Sequence, residues 1–322
     1  MNTVNIRKKV RQNYYGIQKF LNDFSTDEKC EEFLFKIKYP NGYQCSNCGH
    51  RKFYKMKNKQ TKRARILQCA NKVCRNQESI TANTVFHGTR TPLSKWFYAF
   101  FKMSQGKKGI SALQLSKEIN IDYSTTLLMM TKIRKEMEEN LVKYQIGGCK
   151  SSVQVDEIFI GGVGREKQLA LILLEQNEDG KLGRVRMVPI ERKDYQTIER
   201  ILVPIVKEGT TIFCDKNAVY VKLAKEYAKK FNIHPLAHWE ENHSHEYLKD
   251  LNIVVSNLKR WYRGIHHSFQ LKNTGYYLNE FCYRFNRRRI EFNIFQRLLT
   301  RSIIRPKKLH ARQLSPYDMM AA

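Results

Sequence analysis

The chain has 322 residues, 42% of them hydrophobic, which is enough for two or three domains with a buried core. Its 58 Lys and Arg against 30 Asp and Glu give a formal net charge of +28, the electrostatic footprint of a nucleic-acid partner. Apolar runs such as Leu169–Leu174 fall far short of the roughly 20 residues that span a bilayer, and Met1–Arg11 is charged without an apolar segment, so neither a membrane span nor a signal peptide is expected.

Residues 1–40 carry helical apolar spacing at Tyr14, Tyr15, Ile17, Phe20, Leu21 and Phe24. Ser25-Thr26-Asp27-Glu28 then reads as a second helix start, and Pro40-Asn41-Gly42 as a turn. From 41 to 90 the cysteines take over. Cys45 and Cys48 form one close pair, Cys69 and Cys74 another, with a basic run and a strand-like Arg65-Ile66-Leu67-Gln68 between them. Two cysteine pairs separated by a short hairpin are the pattern of a zinc ribbon holding one structural Zn²⁺ in a tetrahedral set. Gly49 suits the first turn, and His50 is an alternative ligand. The other cysteines, Cys30, Cys149, Cys214 and Cys282, are scattered, which fits a reducing compartment better than a disulfide framework.

Residues 91–137 read as helical, within a DNA-binding region over 91–147. Pro92-Leu93-Ser94-Lys95-Trp96-Phe97 opens one helix and Gly106–Gly109 breaks it. A helix from Ile110 to Ile119, the short turn Asn120-Ile121-Asp122 and a helix from Tyr123 to Met137 make a helix-turn-helix. In that motif Tyr123, Ser124, Thr125 and Lys132 would face DNA, because the second helix enters the major groove by its N-terminal part. A plain helical connector is the alternative.

From 148 to 305 strands alternate with helices. Ser152–Phe159, Gln168–Leu174 and Arg184–Ile190 read as a three-stranded meander, with Gly161, Gly162 and Gly164 in one turn and Gly180 and Gly183 in the next. A helix from Tyr195 to Val206, a strand from Thr210 to Asp215 and helices over Val219–Phe231 and Leu251–Tyr262 follow. This order describes an α/β fold of the ribonuclease-H-like type, preceded by the ribbon and the helix-turn-helix. That fold places carboxylates at adjacent ends of the first and fourth strands, and Asp156 and Asp215 occupy those places. Mg²⁺ prefers oxygen ligands and is held by few carboxylates together with substrate phosphates. Two such ions about 3.5–4 Å apart can clamp the attacking and leaving oxygens of an in-line displacement. Glu157 should point to the opposite face of its strand from Asp156. His234, His238, His243 and His245 suggest a metal cluster, but their irregular spacing favours surface or DNA-proximal residues. Arg284, Arg287 and Arg288, beside Tyr283 and Phe285, are candidate DNA contacts, and residues 306–322 form a basic tail.

These motifs, in this order, resemble the bacterial insertion-sequence transposases of the DDE/DDNK type with an N-terminal zinc ribbon, related to the Merlin elements. The likeness rests on the ribbon cysteines, Gln105–Ser116, Val155-Asp156-Glu157 with Gly161-Gly162, Asp215 followed by Tyr220, Ser256–Arg260 and Tyr277–Arg288. It implies Asp156 and Asp215 as metal-binding aspartates, Asn252 as the third metal ligand, and Lys259, seven residues on, as the lysine of the site. Asp250 and Glu246 are nearby carboxylates that could replace Asn252, and Lys216-Asn217-Ala218 departs from the family's glycine-aromatic pair. Two Mg²⁺ or Mn²⁺ ions, DNA cleavage and strand transfer at terminal inverted repeats, and a homodimer or higher oligomer on double-stranded DNA are the implied properties. Lys259 and Arg260 join the expected DNA contacts. The implied compartment is the bacterial cytoplasm at the nucleoid, or the nucleus for a eukaryotic source. An inactive relative acting as a sequence-specific DNA-binding protein is the alternative.

Overall fold

The computed structural model describes residues 15–56, 65–105, 108–161, 166–236, 248–266, 271–289 and 294–304. Expectations on Tyr14, Gly106, Gly162, Gly164, His238, His243, His245, Glu246 and the 306–322 tail lie outside these residues. The chain divides into two compact units, residues 1–136 with 290–311 and residues 137–289 with 312–322.

The first unit opens with α1 (Ile17–Phe24) and α2 (Asp27–Lys38). The Thr26 hydroxyl accepts from the Lys29 N–H at the start of α2, with Asp27 and Glu28 in the first turn and Lys36 and Lys38 in the last. This arrangement complements the helix dipole at both ends. The hairpin strands β1 (Phe53–Met56), β2 (Ile66–Cys69) and β3 (Gln77–Ser79) form an antiparallel sheet in that order. Arg65, at the entry to β2, is 8% exposed and pairs with Asp27 at 3.1 Å and Glu31 at 2.9 Å, tying the ribbon to α2. Next come α3 (Leu93–Ser104), α4 (Ala112–Ile119) and α5 (Tyr123–Met137). The turn between α4 and α5 is built by local chemistry. Ser111 caps α4, Asn120 takes the left-handed conformation (φ 50°) that ends it, and the Asp122 carboxylate accepts the Thr125 N–H at 2.8 Å to start α5.

The second unit is a five-stranded sheet with helices on both faces. Its strands are β4 (Ser151–Ile160), β5 (Gln168–Asn177), β6 (Leu182–Ile190), β7 (Thr211–Asp215) and β8 (Asn232–Leu236), in the order β6-β5-β4-β7-β8. The β4-β5 and β5-β6 pairs are antiparallel, and the β4-β7 and β7-β8 pairs are parallel. The α6 helix (Tyr195–Ile205) joins β6 to β7, and α7 (Ala218–Glu226) joins β7 to β8. Val153, Val155, Leu171 and Leu173 face α6 and α7, while Ile158, Ile160, Ala170 and Ile172 face α8 (Lys249–Trp261) and α9 (Thr274–Asn286). The alternation along β4 and β5 therefore divides one sheet between two apolar cores. The ribonuclease-H-like arrangement expected from the sequence is present.

Two elements depart from the sequence reading. The expected Val219–Phe231 helix stops at Glu226, and the chain turns into β8, a strand that the sequence did not announce. Pro235 interrupts that segment's strand pattern, but β8 is an edge strand, where a missing N–H is tolerated. His234 lies within β8, its ring stacked on Phe213 at 5.7 Å. Finally, α10 (Ile294–Ile304), expected at the end of the catalytic domain, belongs to the first unit. Its Phe295 packs against Tyr15 (5.3 Å), Phe20 (5.6 Å) and Phe24 (5.8 Å), completing an aromatic core that the N-terminal helices alone leave open.

Candidate active site and zinc centre

In the first unit the sulfurs of Cys45, Cys48, Cys69 and Cys74 converge within 4.8 Å of one another. Cys45 Sγ lies 3.8 Å from Cys74 Sγ, and Cys48 Sγ lies 3.6 Å from Cys69 Sγ. Four sulfurs about 2.3 Å from a central ion in tetrahedral geometry are about 3.8 Å apart, so the set fits zinc. The two knuckles are alike despite their different lengths. Cys45 N–H donates to His50 C=O and Cys69 N–H to Asn76 C=O, and the residue after each second cysteine has positive φ, Gly49 at 72° and Arg75 at 43°. The longer second knuckle thus closes by the same turn, with Arg75 in a conformation that glycine takes more readily. Backbone N–H groups of Cys48 and Asn47 pull the Cys45 thiol down to about 6, whereas burial pushes Cys69 up to about 12. The Asn47 amide donates to Cys74 Sγ at 3.4 Å, which helps hold the sulfur in its ligating form. His50 is not part of the cluster.

In the second unit the site forms where the sheet changes direction. From β4 the chain winds to β5 and β6 on one side, and β7 and β8 lie on the other, so the boundary between β4 and β7 is a topological switch point. The last paired positions of these parallel strands are Gln154 and Phe213. Two residues further along each strand bring Asp156 and Asp215 abreast. Gln154 shares Asp156's face of β4, and its amide oxygen accepts the Leu251 N–H at 3.0 Å. Asp156 therefore lies on the α8 face. Glu157 lies on the opposite face, as its position in the strand requires, and accepts a hydrogen bond from the hydroxyl of Tyr220, a fully buried residue on α7. Because β7 ends at Asp215, the carboxylates of both faces reach around the strand edge. One oxygen each from Asp156, Glu157 and Asp215 falls within 4.8 Å of the others.

The cluster is electrostatically tense. Burial, then the charges of Glu157 and Asp215, push Asp156 up to about 6, against the pull of the Glu157 N–H that Asp156 accepts at 2.8 Å. Lys193, in the loop between β6 and α6, pairs with Glu157 and lies 3.2 Å from Asp215 Oδ2. Burial draws Lys193 down, but the two carboxylates prevail and hold it above the usual lysine range. Asp215 Oδ1 is buried and has no hydrogen-bond partner among the described residues. A buried carboxylate oxygen without a donor is costly unless a cation completes it. Three clustered carboxylates with such an oxygen fit a hard divalent ion.

The remaining expected site residues lie on or near α8. Asn252 is exposed in its first turn, next to Leu251, which sits level with Gln154 and two strand positions short of Asp156. Asp250 is bonded to the Gln176 amide at 3.0 Å, and Gln176 pairs with Ser152, about 13 Å along the strand from Asp156. Asp250 is thus drawn away from the cluster, and the third carboxylate there is Glu157. Lys259 is exposed near the other end of α8, where a cavity of about 150 Å³ opens onto Lys167, Lys259, Arg263, Phe159 and Tyr262. Gly161 closes β4 beside it with φ 155°, and a Cβ there would come within 2.9 Å of the Glu166 carbonyl oxygen. Arg260 is exposed, with its guanidinium on Asn257 Oδ1 at 3.1 Å.

Arg284 on α9, and Arg287 and Arg288 just after it, expected as DNA contacts, make contacts within the chain. Arg284 pairs with the buried Glu280, Arg287 with Glu139 at 2.5 Å, and Arg288 donates to the carbonyls of Leu182, Gly183 and Phe285. On α5, Tyr123 and Ser124 are exposed and Thr125 is half-buried, whereas the Lys132 ammonium lies over the Trp96 ring at 5.9 Å. Lys193 was missed from the sequence. It is one lysine among many, and only its place directly before Asp194, which caps α6 through the Thr197 N–H, fixes where it reaches.

A ribonuclease-H-like sheet with carboxylates at its switch point, in a chain with a Cys₄ ribbon, defines a DNA-processing enzyme. Residues 146–286 match the family described as ISXO2-like transposase domain, and residues 25–77 match the transposase zinc-ribbon domain. The first match runs from before β4 to the end of α9 and includes Asp156, Asp215, Asn252 and Lys259, and the second includes all the clustered cysteines. The chain is a transposase of this family, with an N-terminal zinc ribbon. A comparison with curated proteins finds no match. No helix among the described residues is long and apolar enough to cross a membrane.

Proposed function

We propose that this transposase binds the terminal inverted repeats of its element and carries out divalent-metal-dependent cleavage and strand transfer at the β4–β7 switch point. The observation that carries this reading is the convergence of Asp156 and Asp215, abreast on parallel strands, with one buried Asp215 oxygen left without a hydrogen-bond partner among the described residues. Asp156 and Asp215 would hold Mg²⁺ or Mn²⁺, with Asn252 as the further ligand that the family resemblance assigns. When bound, the metal supplies Lewis-acid activation for two successive in-line displacements, hydrolysis of a phosphodiester and attack by the freed 3′-hydroxyl on target DNA. Lys259, with Lys167 and Arg263 around the adjoining cavity, would position DNA phosphates as point charges. The exposed start of α5 and the basic surface would bind the element ends as double-stranded DNA, with two or more copies of the chain acting together. The presence of the clustered carboxylates favours an active enzyme over a purely DNA-binding relative.

The test is a strand-transfer assay with purified protein, Mg²⁺ and DNA bearing the inverted repeats that flank the gene. Joined products should form with the wild type and be absent with Asp215→Asn, while a mobility-shift assay shows DNA binding retained by both. Joining by the Asp215→Asn protein would remove the site from the mechanism.

A further inference from the structure

Lys193 does not belong to the residues that the resemblance assigns, yet among the described residues it is the cation that pairs with the cluster. It bridges Glu157 and Asp215, and it reaches them from a loop whose backbone is fixed one residue later by the Asp194 cap on α6. Glu157 accepts the Tyr220 hydroxyl on Oε1 and faces the Lys193 ammonium as an ion pair on Oε2, its one charged partner there among the described residues. Asp215 is divided differently. Its Oδ2 faces the Lys193 ammonium at 3.2 Å, and its Oδ1 is buried without a hydrogen-bond donor among the described residues. The arrangement gives the two acidic residues of the neighbouring strands different surroundings. Glu157 is held by a hydroxyl on one oxygen and an ammonium on the other, whereas Asp215 faces the ammonium through Oδ2 alone.

We infer that Lys193 is a built-in counter-cation, held by Glu157 and Tyr220, that keeps the carboxylate cluster assembled without metal and opposes divalent-ion binding at Asp156 and Asp215. The inference rests on the metal-site reading above. Its physical basis is that a fixed positive charge beside Asp215 lowers the repulsion among the clustered carboxylates. The same charge repels a divalent ion at a distance of a few ångströms, where electrostatic interactions in a partly buried site reach the order of a tenfold change in affinity or more. Lys193 is therefore a positioning residue. Removing its charge should act in opposite directions on the metal-free fold and on metal affinity, and a lysine that merely packs would not do this.

The experiment uses the full-length, zinc-loaded protein without DNA and titrates Mn²⁺, read by electron paramagnetic resonance of the free ion and by thermal unfolding. Lys193→Gln should lower the melting temperature in the absence of Mn²⁺, bind Mn²⁺ about tenfold or more tightly than the wild type, and recover its melting temperature as the site fills. Lys193→Arg, which keeps the charge, should stay close to the wild type in Mn²⁺ affinity. Asp215→Asn is the control for the site itself. If the wild type binds no Mn²⁺ beyond what Asp215→Asn binds, the metal-site reading fails and this inference with it. If the wild type binds Mn²⁺ through Asp215 but Lys193→Gln binds it equally or more weakly, the metal site stands and the role of Lys193 is refuted. A Lys193→Gln protein with unchanged Mn²⁺ binding that loses DNA affinity in a parallel mobility-shift titration would make Lys193 a phosphate contact and likewise overturn the inference.

Discussion

Replacing Asp156 with asparagine should stabilise the metal-free protein while removing its activity. Burial and two neighbouring carboxylates push Asp156 from the ordinary aspartate value of 3.8 to about 6. The ionised form is therefore held against its preference, and the difference amounts to about 3 kcal/mol above pH 6. Solvent reaches this half-buried side chain, so screening trims the expected gain to about 1–3 kcal/mol. Asparagine keeps the shape, and its amide oxygen can still accept the Glu157 N–H that Asp156 accepts at 2.8 Å. The pH dependence has a definite sign. A carboxyl whose folded value is raised opposes folding when ionised, so the deficit is present above about 6 and disappears as pH falls toward 3.8. Urea unfolding of the zinc-loaded protein, followed by hydrogen exchange in β4 and β5, isolates the catalytic unit. At pH 7.5 without Mg²⁺, Asp156→Asn should be the more stable form, and the gap should narrow by pH 5. Adding Mg²⁺ should stabilise the wild type through linkage and leave the variant unmoved. A variant no more stable than the wild type at pH 7.5, or a gap that does not narrow in acid, would refute the electrostatic account of the site.

The zinc centre predicts that Cys45→Ser with Cys48→Ser, or chelation of the metal, unfolds the segment from about Tyr43 to Cys74, because structural zinc supplies folding energy directly; elemental analysis of the purified protein should find one zinc per chain. Glu139 bridges Arg186, whose side chain is 1% exposed, and Arg287, so Glu139→Ala should destabilise the catalytic unit by about 3–5 kcal/mol by leaving a buried guanidinium uncompensated. Denaturant titration measures this, and a loss below about 1 kcal/mol would show that the pair is not effectively buried. Asn252→Ala should raise the Mg²⁺ concentration needed for cleavage and Asn252→Glu lower it, whereas Lys259→Ala should weaken DNA positioning without changing the metal requirement; a metal requirement that moves with Asp250→Ala instead would reassign the third ligand. With a net charge of +28, DNA affinity should fall steeply with salt, by about 0.9 log unit per phosphate contact for each log unit of salt, and a flat response would point to another main partner.

Much of this protein is legible in its sequence because the signals are local or periodic. The cysteine spacing announced the ribbon, since a metal knuckle is a short turn whose ligands are neighbours in the chain. Alternation along β4 and β5 marked a sheet with two covered faces, and Asp215 marked the end of β7, whereas Asp156, expected at a strand end, lies in the middle of β4. The Ser111, Asp122 and Asp194 caps fall where short-range chemistry places helix starts. What only the tertiary structure decided depends on groups that meet from distant segments. Glu157 joins the cluster from the wrong face of its strand because β7 stops at Asp215, an edge that strand periodicity cannot foresee. Lys193 reaches the site because β6 ends at the same side of the sheet as β4 and β7, and nothing in its own neighbourhood distinguishes it from other lysines. Arg284, Arg287 and Arg288, on and just after α9, looked like a free basic face, and Glu139, Glu280 and the carbonyls of β6 claimed them only once the chain had folded. The last helix returns to the first unit because Phe295 fills an aromatic core begun about 270 residues earlier, and no local pattern carries that distance.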